Sequence, residues 1–395
     1  MLAGCTDQGN DGDTDGGGEN GGSNSLKVGH LAPLSGPFGQ IGNLMKDGTD
    51  LAVKELNEAD NGLNVEAVHK DTQVSPDTAV SAARELVTQE NVDVLAGCSS
   101  SAVGSGISEF ASSQDVVYLA TVPQSPSLTG SDCNKMTFRS GGNLNMLMQA
   151  LAMTTDELTD GSTLAGIIPD SGATRELWDV FSSTLVDTAD VEIVNTTYPA
   201  FGAGDYQNEI QQTMNADPDI VFASMWGGDL ISFIQQARGF DFFEEIPEFV
   251  ASAGSTADVS VSLGEDMVEM IGLDRYFFQF PDTERNQQFV EAYRDEYDSY
   301  PLSVSQEAYA GVYGLSAAVE ASGETSSDGI VSGLEGLEWE APEGPKKMRA
   351  ADHQVIEDKI WCGRIGPVEG LPFYGYSDMR PVDGAEVAGE PNCSF

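Results

Sequence analysis

From Leu26 onwards, short apolar runs alternate with amphipathic windows of helical period. The apolar runs predict strands and the amphipathic windows predict helices, because each period places its apolar residues on one face. In the first part of the chain the predicted strands are 26–31, 65–69, 92–96 and 116–120, and the predicted helices are 43–57, 75–90 and 102–114. A strand followed by a helix, repeated, is typical of a parallel sheet covered by helices. The pattern therefore predicts an α/β fold.

The same plan starts again near Gly141. The second set of predicted strands is 163–168, 192–198, 220–224 and 248–251, with helices beginning near Leu144, Thr174, Tyr206 and Leu230. Without the N-terminal tail about 370 residues remain, which exceeds one typical core and suits two lobes. Each lobe is expected to repeat one plan.

An aromatic run at 274–280 is predicted to be a strand that returns the chain to the first lobe. Predicted helices at 284–299 and 303–321 follow this run, so the two lobes are expected to be interleaved. The expected lobe 1 is 26–140 with 273–345, and the expected lobe 2, with a C-terminal extension, is 141–272 with 346–395.

The sequence starts with Leu2-Ala3-Gly4-Cys5 after Met1, followed by a tract, 6–25, that has no apolar side chain. Small residues before a cysteine are typical of a lipobox, in which the cysteine becomes an acylated N-terminus. The tract cannot bury apolar surface to offset its ordering entropy, so 1–25 is expected to be a lipobox and disordered tether. Because a signal peptide needs an apolar stretch of roughly 7–15 residues, Met1 is expected to lie inside a longer precursor. An incidental Cys5 is the alternative.

The charge balance is strongly acidic, with 64 acidic and 18 basic residues and a formal net charge of -46. Such a surface repels phosphate backbones and anionic lipid headgroups, so a nucleic-acid partner is excluded. The simplest interpretation is halophilic adaptation, in which molar salt screens the repulsion between hydrated carboxylates. No run of 18 apolar residues occurs, so no transmembrane helix is predicted.

A serine-rich turn, Gly97-Cys98-Ser99-Ser100-Ser101, lies between a predicted strand and a predicted helix. Ligands bind at the carboxyl ends of parallel strands, and the free N–H groups at a helix start favour an anion. The turn is therefore predicted to bind a carboxylate through Ser99 to Ser101. The alternative interpretation is that one serine simply caps the helix.

Catalytic and metal motifs are not found in the sequence. The serine turn lacks the second glycine of a Gly-x-Ser-x-Gly motif, because Ser101 occupies that position. The three histidines, His30, His69 and His353, fit structural or surface positions better than the role of a general base. No metal-ligand spacing and no phosphate-binding loop occur, so no catalytic residue, metal or cofactor is expected.

Several motifs occur together in this order of elements. They are Leu34-Ser35-Gly36-Pro37 with Gly42, the serine turn, Ser127-Leu128-Thr129-Gly130, Phe138-Arg139, and Trp226-Gly227-Gly228-Asp229. From Lys27 to Cys393 the chain resembles the type I periplasmic-binding-protein family, in particular the branched-chain amino-acid ABC-transporter substrate-binding proteins. The resemblance implies two Rossmann-like lobes with parallel sheets, joined by a three-stranded hinge, that close on a small ligand.

The resemblance also implies roles for individual residues. Ser99 and Ser100 match the positions that take the ligand carboxylate, Val122 and Gln124 lie in a loop that supplies further contacts, and Trp226 matches an aromatic cover from the second lobe. A core tryptophan is the alternative for Trp226.

Two positions depart from the family pattern for amino-acid binders. Ile41 stands where an aromatic is usual, and Ala253 where an acid meets the ammonium group of the ligand. Burying an unpaired ammonium is costly. Either another carboxylate substitutes, with Glu307, Asp229 and Asp170 as candidates, or the ligand is an amide or an aromatic or aliphatic carboxylate.

Four cysteines remain once Cys5 is set aside, and their sequence positions alone leave three connectivities open. A subgroup of the resembled family that binds aromatic acids shares the stretch around Cys133 and a cysteine near the C-terminus. The resemblance thus implies a disulfide between Cys133 and Cys393. It leaves Cys98 and Cys362 over.

Taken together, the chain is expected to be a monomeric, lipid-anchored solute receptor on the extracellular face of the cell membrane. It would deliver a small carboxylated ligand, such as a branched-chain amino acid, to an ABC transporter permease, without covalent chemistry. A ligand-sensing receptor subunit is an alternative, and an amidase- or esterase-type enzyme is a less favoured one.

The charge balance generates a direct prediction about salt. Transfer from molar KCl to dilute buffer should lower the melting temperature, because the Debye length grows from about 3 Å at 1 M to about 30 Å at 0.01 M and repulsion is no longer screened. Thermal unfolding followed by circular dichroism measures the difference. Equal melting temperatures in the two buffers would contradict halophilic adaptation.

Overall fold

The computed structural model describes residues 24–59, 62–200, 202–225, 227–252 and 256–395. The predicted lipidation site Cys5 and the predicted ligand-binding residues Trp226 and Ala253 lie outside the described residues. Among the described helices, none combines the length and apolar character needed to cross a bilayer.

The first sheet has eight strands in the order β11-β12-β13-β5-β4-β3-β1-β2. These strands are β1 Asn24–Ala32, β2 Leu63–Asp71, β3 Val94–Gly97, β4 Val117–Ala120, β5 Thr137–Arg139, β11 Glu338–Ala341, β12 Gly344–Arg349 and β13 Gln354–Glu357. From β2 to β13 the pairings across the sheet are parallel, whereas β12 runs antiparallel to both of its neighbours.

The second sheet has seven strands in the order β15-β14-β10-β9-β8-β6-β7. They are β6 Thr163–Ile167, β7 Glu192–Thr197, β8 Ile220–Ala223, β9 Glu248–Ala251, β10 Met270–Leu273, β14 Lys359–Gly366 and β15 Gly375–Asp383. The pairings from β7 to β10 are parallel, and β14 and β15 add an antiparallel edge.

Helices cover both sheets. They are α1 Gly39–Glu58, α2 Pro76–Thr88, α3 Ser101–Ser113, α4 Leu144–Leu158, α5 Gly172–Ala189, α6 Gln207–Asn215, α7 Gly227–Arg238, α8 Phe242–Glu245, α9 Thr256–Leu263, α10 Glu284–Tyr297, α11 Ser303–Ser322, α12 Ser327–Leu334 and α13 Gly384–Val387. The α/β class and the two-lobed plan predicted from the sequence are confirmed, although each sheet is mixed rather than wholly parallel.

Alternation along β1 explains how helices come to lie on both faces of the first sheet. Leu26 and Val28 belong to one buried cluster, and Leu31 belongs to another on the opposite face. Successive strand side chains point to opposite faces, so a strand with apolar residues in both registers must be covered twice. This double cover places the strand ends, rather than a sheet face, at the surface where a ligand can enter.

The predicted strand at 274–280 is wrong. This segment forms a turn with one isolated bridge between Phe277 and Phe280. Its rings pack against side chains of both lobes instead of joining a sheet, with Tyr276 against Phe289 and Phe277 against Tyr376. The aromatic residues therefore anchor a connection between the lobes, which is the part of the prediction that holds.

The predicted lobe boundary at 345/346 is also wrong. The strands β12 and β13 extend the first sheet, because β12 forms an antiparallel pair with β11 and β13 pairs with β5 through Gln354 and Arg139. The chain passes to the second sheet only after Glu357, where β14 begins at Lys359.

Three chain crossings join the lobes. The first runs from β5 to α4 (140–143), the second from β10 to α10 (274–283), and the third from β13 to β14 at Asp358. Three crossings are what the resemblance implied, and they form the hinge of the molecule.

A disulfide between Cys133 and Cys393, with a Cα–Cα distance of 6.0 Å, ties the C-terminal segment to the first lobe. It is the pairing that the resemblance implied. Cys98 and Cys362 are buried free thiols. They lie in different lobes, Cys98 directly after β3 of the first sheet and Cys362 within β14 of the second sheet.

Candidate functional site

The serine turn reverses the chain sharply at the end of β3. Gly97 and Cys98 both have positive φ, +104° and +77°. A Cβ atom at Gly97 would lie 2.5 Å from the carbonyl oxygen of Leu31, so only glycine fits there. The hydroxyl of Tyr118 donates to the Gly97 carbonyl at 3.2 Å. The turn is therefore held by its backbone and presents the next residues at the start of α3.

The three serines have different partners. The hydroxyl of Ser100 accepts from the Val103 N–H at 3.3 Å and so caps α3. The hydroxyl of Ser101 accepts from the N–H groups of Gln124 and Ser125 at 3.3 and 3.1 Å. The capping alternative thus holds for Ser100, and Ser101 links this turn to the loop after β4.

Ser99 differs from its neighbours. Among the described residues its half-buried side chain has no hydrogen-bond partner, and the N–H groups of Ser101 and Ala102 meet no acceptor. The first N–H groups of a helix have no partner inside the helix, and they carry the positive end of its dipole. This geometry suits a carboxylate placed beside Ser99.

The loop after β4 lies against the same turn. Val122 is buried, and its carbonyl accepts from Nη1 of Arg275 at 3.2 Å. The carbonyl of Gln124 accepts from the Leu144 N–H at 3.0 Å, at the start of α4. Parallel pairing of β1, β3 and β4 brings the loops that follow them to one edge of the sheet. The structure thus brings Ser99, Ser100, Val122 and Gln124 together.

An apolar surface adjoins this edge on the β1 side. Ile41 is 37% exposed and Phe38 is 50% exposed, at the start of α1. Ala32, Met45, Val122 and Ala308 form a small buried cluster, against which Leu34 and Val304 pack. Ile41 is thus exposed near the start of α1, the helix that follows β1, and its place in the site stays a prediction.

The three carboxylates considered as partners for an ammonium group all have partners within the chain. Glu307 is buried and pairs with Arg275 at 2.7 Å, Asp170 pairs with Arg175 at 2.8 Å on the surface, and Asp229 accepts from the Gly202 N–H at 3.2 Å.

Sequence reasoning missed Arg275, which contacts the loop after β4 as well as Glu307. The sequence signal was a single basic residue at the start of the aromatic run 274–280. A cation among aromatic residues that are expected to be buried indicates a buried acidic partner.

A histidine pair lies beneath the turn. Nδ1 of His30 lies 2.9 Å from Nδ1 of His69, and Nε2 of His69 lies 2.8 Å from Oδ1 of Asp50. Burial, with a smaller contribution from His69, lowers the pKa of His30 from 6.5 to about 3. A Cβ atom on Gly97 would lie 3.2 Å from Nε2 of His30, so the neutral imidazole supports the turn from below. These contacts fit a structural role.

Comparison with known proteins places this geometry in a family. The family model for periplasmic binding protein matches residues 25–366. The chain belongs to this family. The match covers all three crossings and every strand except β15, apart from the first residue of β1.

Similar proteins and structures agree with this assignment. The Leu/Ile/Val-binding protein homolog 6 of Brucella abortus is 22% identical over 376 residues, which are 93% of each chain. The amino acid ABC transporter substrate-binding protein of Pseudomonas fluorescens Pf-5 has a TM-score of 0.83 at 20% identity, covering 94% of this chain and 99% of that one.

A solute-binding protein of an ABC transporter from Rhodopseudomonas palustris, solved in complex with benzoate, has a TM-score of 0.79 at 20% identity. The match covers 94% of this chain and all of that one, 100%. At these identities the structural likeness shows the type I periplasmic binding fold.

Replacing His30 by asparagine (H30N) should flatten the acid side of the stability profile. The folded chain keeps His30 neutral down to about pH 3, whereas the unfolded chain binds a proton below pH 6.5. Wild-type stability therefore falls as the pH drops below 6.5, and His30 accounts for at most about 2 kcal/mol of the loss at pH 5. The amide introduced by H30N can still donate to His69 but takes up no proton.

The measurement is the free energy of urea unfolding from pH 8 to pH 5 at constant molar KCl. The difference between wild type and H30N at pH 8 serves as the control, because the histidine is then neutral in both states. Parallel profiles for the two chains would contradict the buried neutral state of His30.

Proposed function

We propose that this chain is the extracellular solute-binding component of an ABC importer, and that it closes on a small carboxylated solute. The observation that carries the proposal is the free start of α3, where Ser99 and the N–H groups of Ser101 and Ala102 have no partner among the described residues. Membership of the periplasmic binding protein family supports it.

The chemistry of the edge favours an anionic head joined to an apolar body. Oriented N–H donors at a helix start attract a carboxylate, and exposed Ile41 and Phe38 offer apolar surface beside it. A branched-chain amino acid is the first candidate, because the Brucella abortus relative is named a Leu/Ile/Val-binding protein homolog. An aromatic or aliphatic carboxylate, or an amide, is the alternative, and the benzoate complex of the Rhodopseudomonas palustris protein supports the aromatic class.

Closure follows from the two-lobed plan. A solute bound between the lobes gains its full set of contacts only when both lobes approach it, so binding shifts the hinge equilibrium towards the closed form. A permease in the membrane then receives the closed form. Trp226 and Ala253 are proposed to contribute from the second lobe.

In this proposal the chain binds its solute without any covalent step. A serine nucleophile needs a base within hydrogen-bond reach. In the described part of the chain His30 and His69 contact each other, and His353 contacts Glu335 and the Thr137 carbonyl.

A solute panel tests the proposal. Leucine, isoleucine, valine, benzoate, 4-hydroxybenzoate and isobutyramide are added separately to the chain in molar KCl, and melting is followed by fluorescence. A true solute at one hundred times its dissociation constant should stabilise the chain by roughly 2.7 kcal/mol. No shift with any member would count against the proposed function, and consumption of a solute during incubation would favour the enzyme alternative.

Ser99→Ala should raise the dissociation constant of the solute found in the panel by about tenfold or more, because it removes one hydrogen bond to a charged group. Stability without solute should stay unchanged. Ser105→Ala is the matched control, since the Ser105 hydroxyl donates to the Ser101 carbonyl of its own helix, at 3.1 Å. Equal affinities for both variants would remove Ser99 from the site.

Anchoring through Cys5 belongs to the same proposal. A diacylated cysteine would hold the chain at the membrane, because each buried methylene contributes about 0.8 kcal/mol. When the natural precursor is expressed in a bacterium fed labelled palmitate, the wild type and a Thr6→Ala control should carry label in the membrane fraction. Cys5→Ser should lose both label and membrane association. Label retained by Cys5→Ser would refute the anchor.

A further inference from the structure

Five charged side chains are buried where the three crossings meet. They are Arg275, Glu307, Glu343, Lys346 and Glu357, and the exposed fraction of each side chain is 8% or less. Two cations stand against three carboxyl groups, and burial raises the pKa of Glu307 to about 8 and also raises the pKa of Glu343. Charges are rarely buried unless they are paired, so this concentration calls for a reason beyond packing. We call these five residues the hinge cluster.

Lys346 connects the first crossing to the third. Its Nζ donates to the Ser140 carbonyl at 2.8 Å, at the start of the first crossing. The same nitrogen pairs with Glu357 at 3.0 Å, the residue before the third crossing, and with Glu343 at 2.5 Å. Gln306 of α11 donates to Glu343 from the other side. One buried ammonium thus holds two crossings together.

Arg275 brings in the second crossing. Its Nη1 pairs with Glu307 of α11 at 2.7 Å and donates to the Val122 carbonyl at 3.2 Å. Val122 lies in the loop after β4, beside the start of α3. The guanidinium therefore contacts the hinge and the edge of the candidate site at once.

Two glycines show how closely the cluster approaches the first crossing. A Cβ atom at Gly141 would lie 3.2 Å from Oε1 of Glu307, and one at Gly142 would lie 3.0 Å from Oε2 of Glu357. Both carboxylates therefore lie against the same piece of backbone. Any rotation about the first crossing must move it relative to two buried carboxylates.

We propose that the hinge cluster restricts the range of lobe motion, and that Arg275 is a positioning residue that couples the hinge to the loop 122–125 of the solute site. This inference rests on the proposed function, in which lobe motion accompanies binding. Glu307, Glu343, Lys346 and Glu357 belong to the first lobe and contact the first and third crossings at their first-lobe ends, whereas Arg275 lies in the second crossing. A change in hinge angle therefore has to move Arg275, or the chain beyond Ser140 and Glu357, against this buried charged group.

The variants must avoid leaving one charge without its partner, since such a change is strongly destabilising, whereas neutralising a whole buried group is often tolerated. Two combined variants meet this condition: R275M/E307Q, and K346M/E343Q/E357Q. The matched control is K347M/E338Q, which removes an exposed ion pair between Lys347 of β12 and Glu338 of β11, 2.6 Å apart. Circular dichroism checks that each variant folds.

The first measurement is the distribution of distances between the lobes without any solute. Spin labels are attached at Glu109→Cys on α3 and Gln211→Cys on α6, and pulsed electron resonance gives the distribution in molar KCl. Both combined variants should widen the distribution by about twofold or more, as a hinge with fewer constraints samples more angles. The control should match the wild type. An unchanged width in folded combined variants would overturn the hinge role.

The second measurement is amide hydrogen exchange in peptides that span 122–125. R275M/E307Q should speed exchange there by about tenfold, because the loop loses its contact with the guanidinium. K346M/E343Q/E357Q should leave exchange in these peptides close to wild type. Equal acceleration in both variants would overturn the specific role of Arg275. Neither measurement needs a solute, so their failure is distinguishable from failure of the proposed function, which the solute panel tests.

Discussion

Parallel pairing of β1, β3 and β4 is the constraint on which the candidate site depends. It brings the carboxyl ends of three strands, and the loops that follow them, to a single edge of the first sheet. The positive φ values of Gly97 and Cys98 then turn the chain tightly enough for α3 to begin with its N–H groups at that edge. Without this register, Ser99 and the loop after β4 would have no reason to be neighbours.

The three serines of the turn have different roles because their hydroxyls have different hydrogen-bond partners. Ser100 satisfies the first turn of its own helix, and Ser101 satisfies two N–H groups of the loop after β4. Ser99 has no side-chain hydrogen-bond partner among the described residues, and we propose that it contacts the solute. A site in which neighbouring hydroxyls are already committed is preorganised, because little further ordering is required when a carboxylate arrives.

At the hinge, buried charged side chains supply the hydrogen bonds that backbone carbonyls need. Three backbone crossings must stay close together and still permit rotation, and a wholly apolar contact would leave their carbonyls unsatisfied. Lys346 satisfies the Ser140 carbonyl of the first crossing, and Arg275 of the second crossing satisfies the Val122 carbonyl in the loop after β4, while carboxyl groups pair with both cations. Charged side chains therefore satisfy backbone carbonyls at the hinge, as capping side chains satisfy backbone groups at helix ends.

Periodicity was sufficient to predict strands β1–β4 and β6–β9, most of the helices and the position of the serine turn, because these depend on neighbours within about a dozen residues. It did not predict β5 or β10–β15. The errors have a common cause. The run at 274–280 is apolar enough for a strand, yet its rings find partners in both lobes and it never joins a sheet. The boundary at 345/346 failed because β13 pairs with β5, more than two hundred residues away in sequence.

What the sequence by itself determined is local: the order of βα units, the helix start beside Ser99, the acidic surface and, through family resemblance, the pairing of Cys133 with Cys393. Tertiary structure alone decided which charges meet, and which of the three serines has no side-chain partner in the described part of the chain. Glu307 stood out only as a candidate partner for a ligand, and Arg275 did not stand out at all. They meet because a crossing and a helix separated in sequence converge on one buried point, where burial raises the pKa of Glu307 to about 8 and the Arg275 guanidinium opposes that shift.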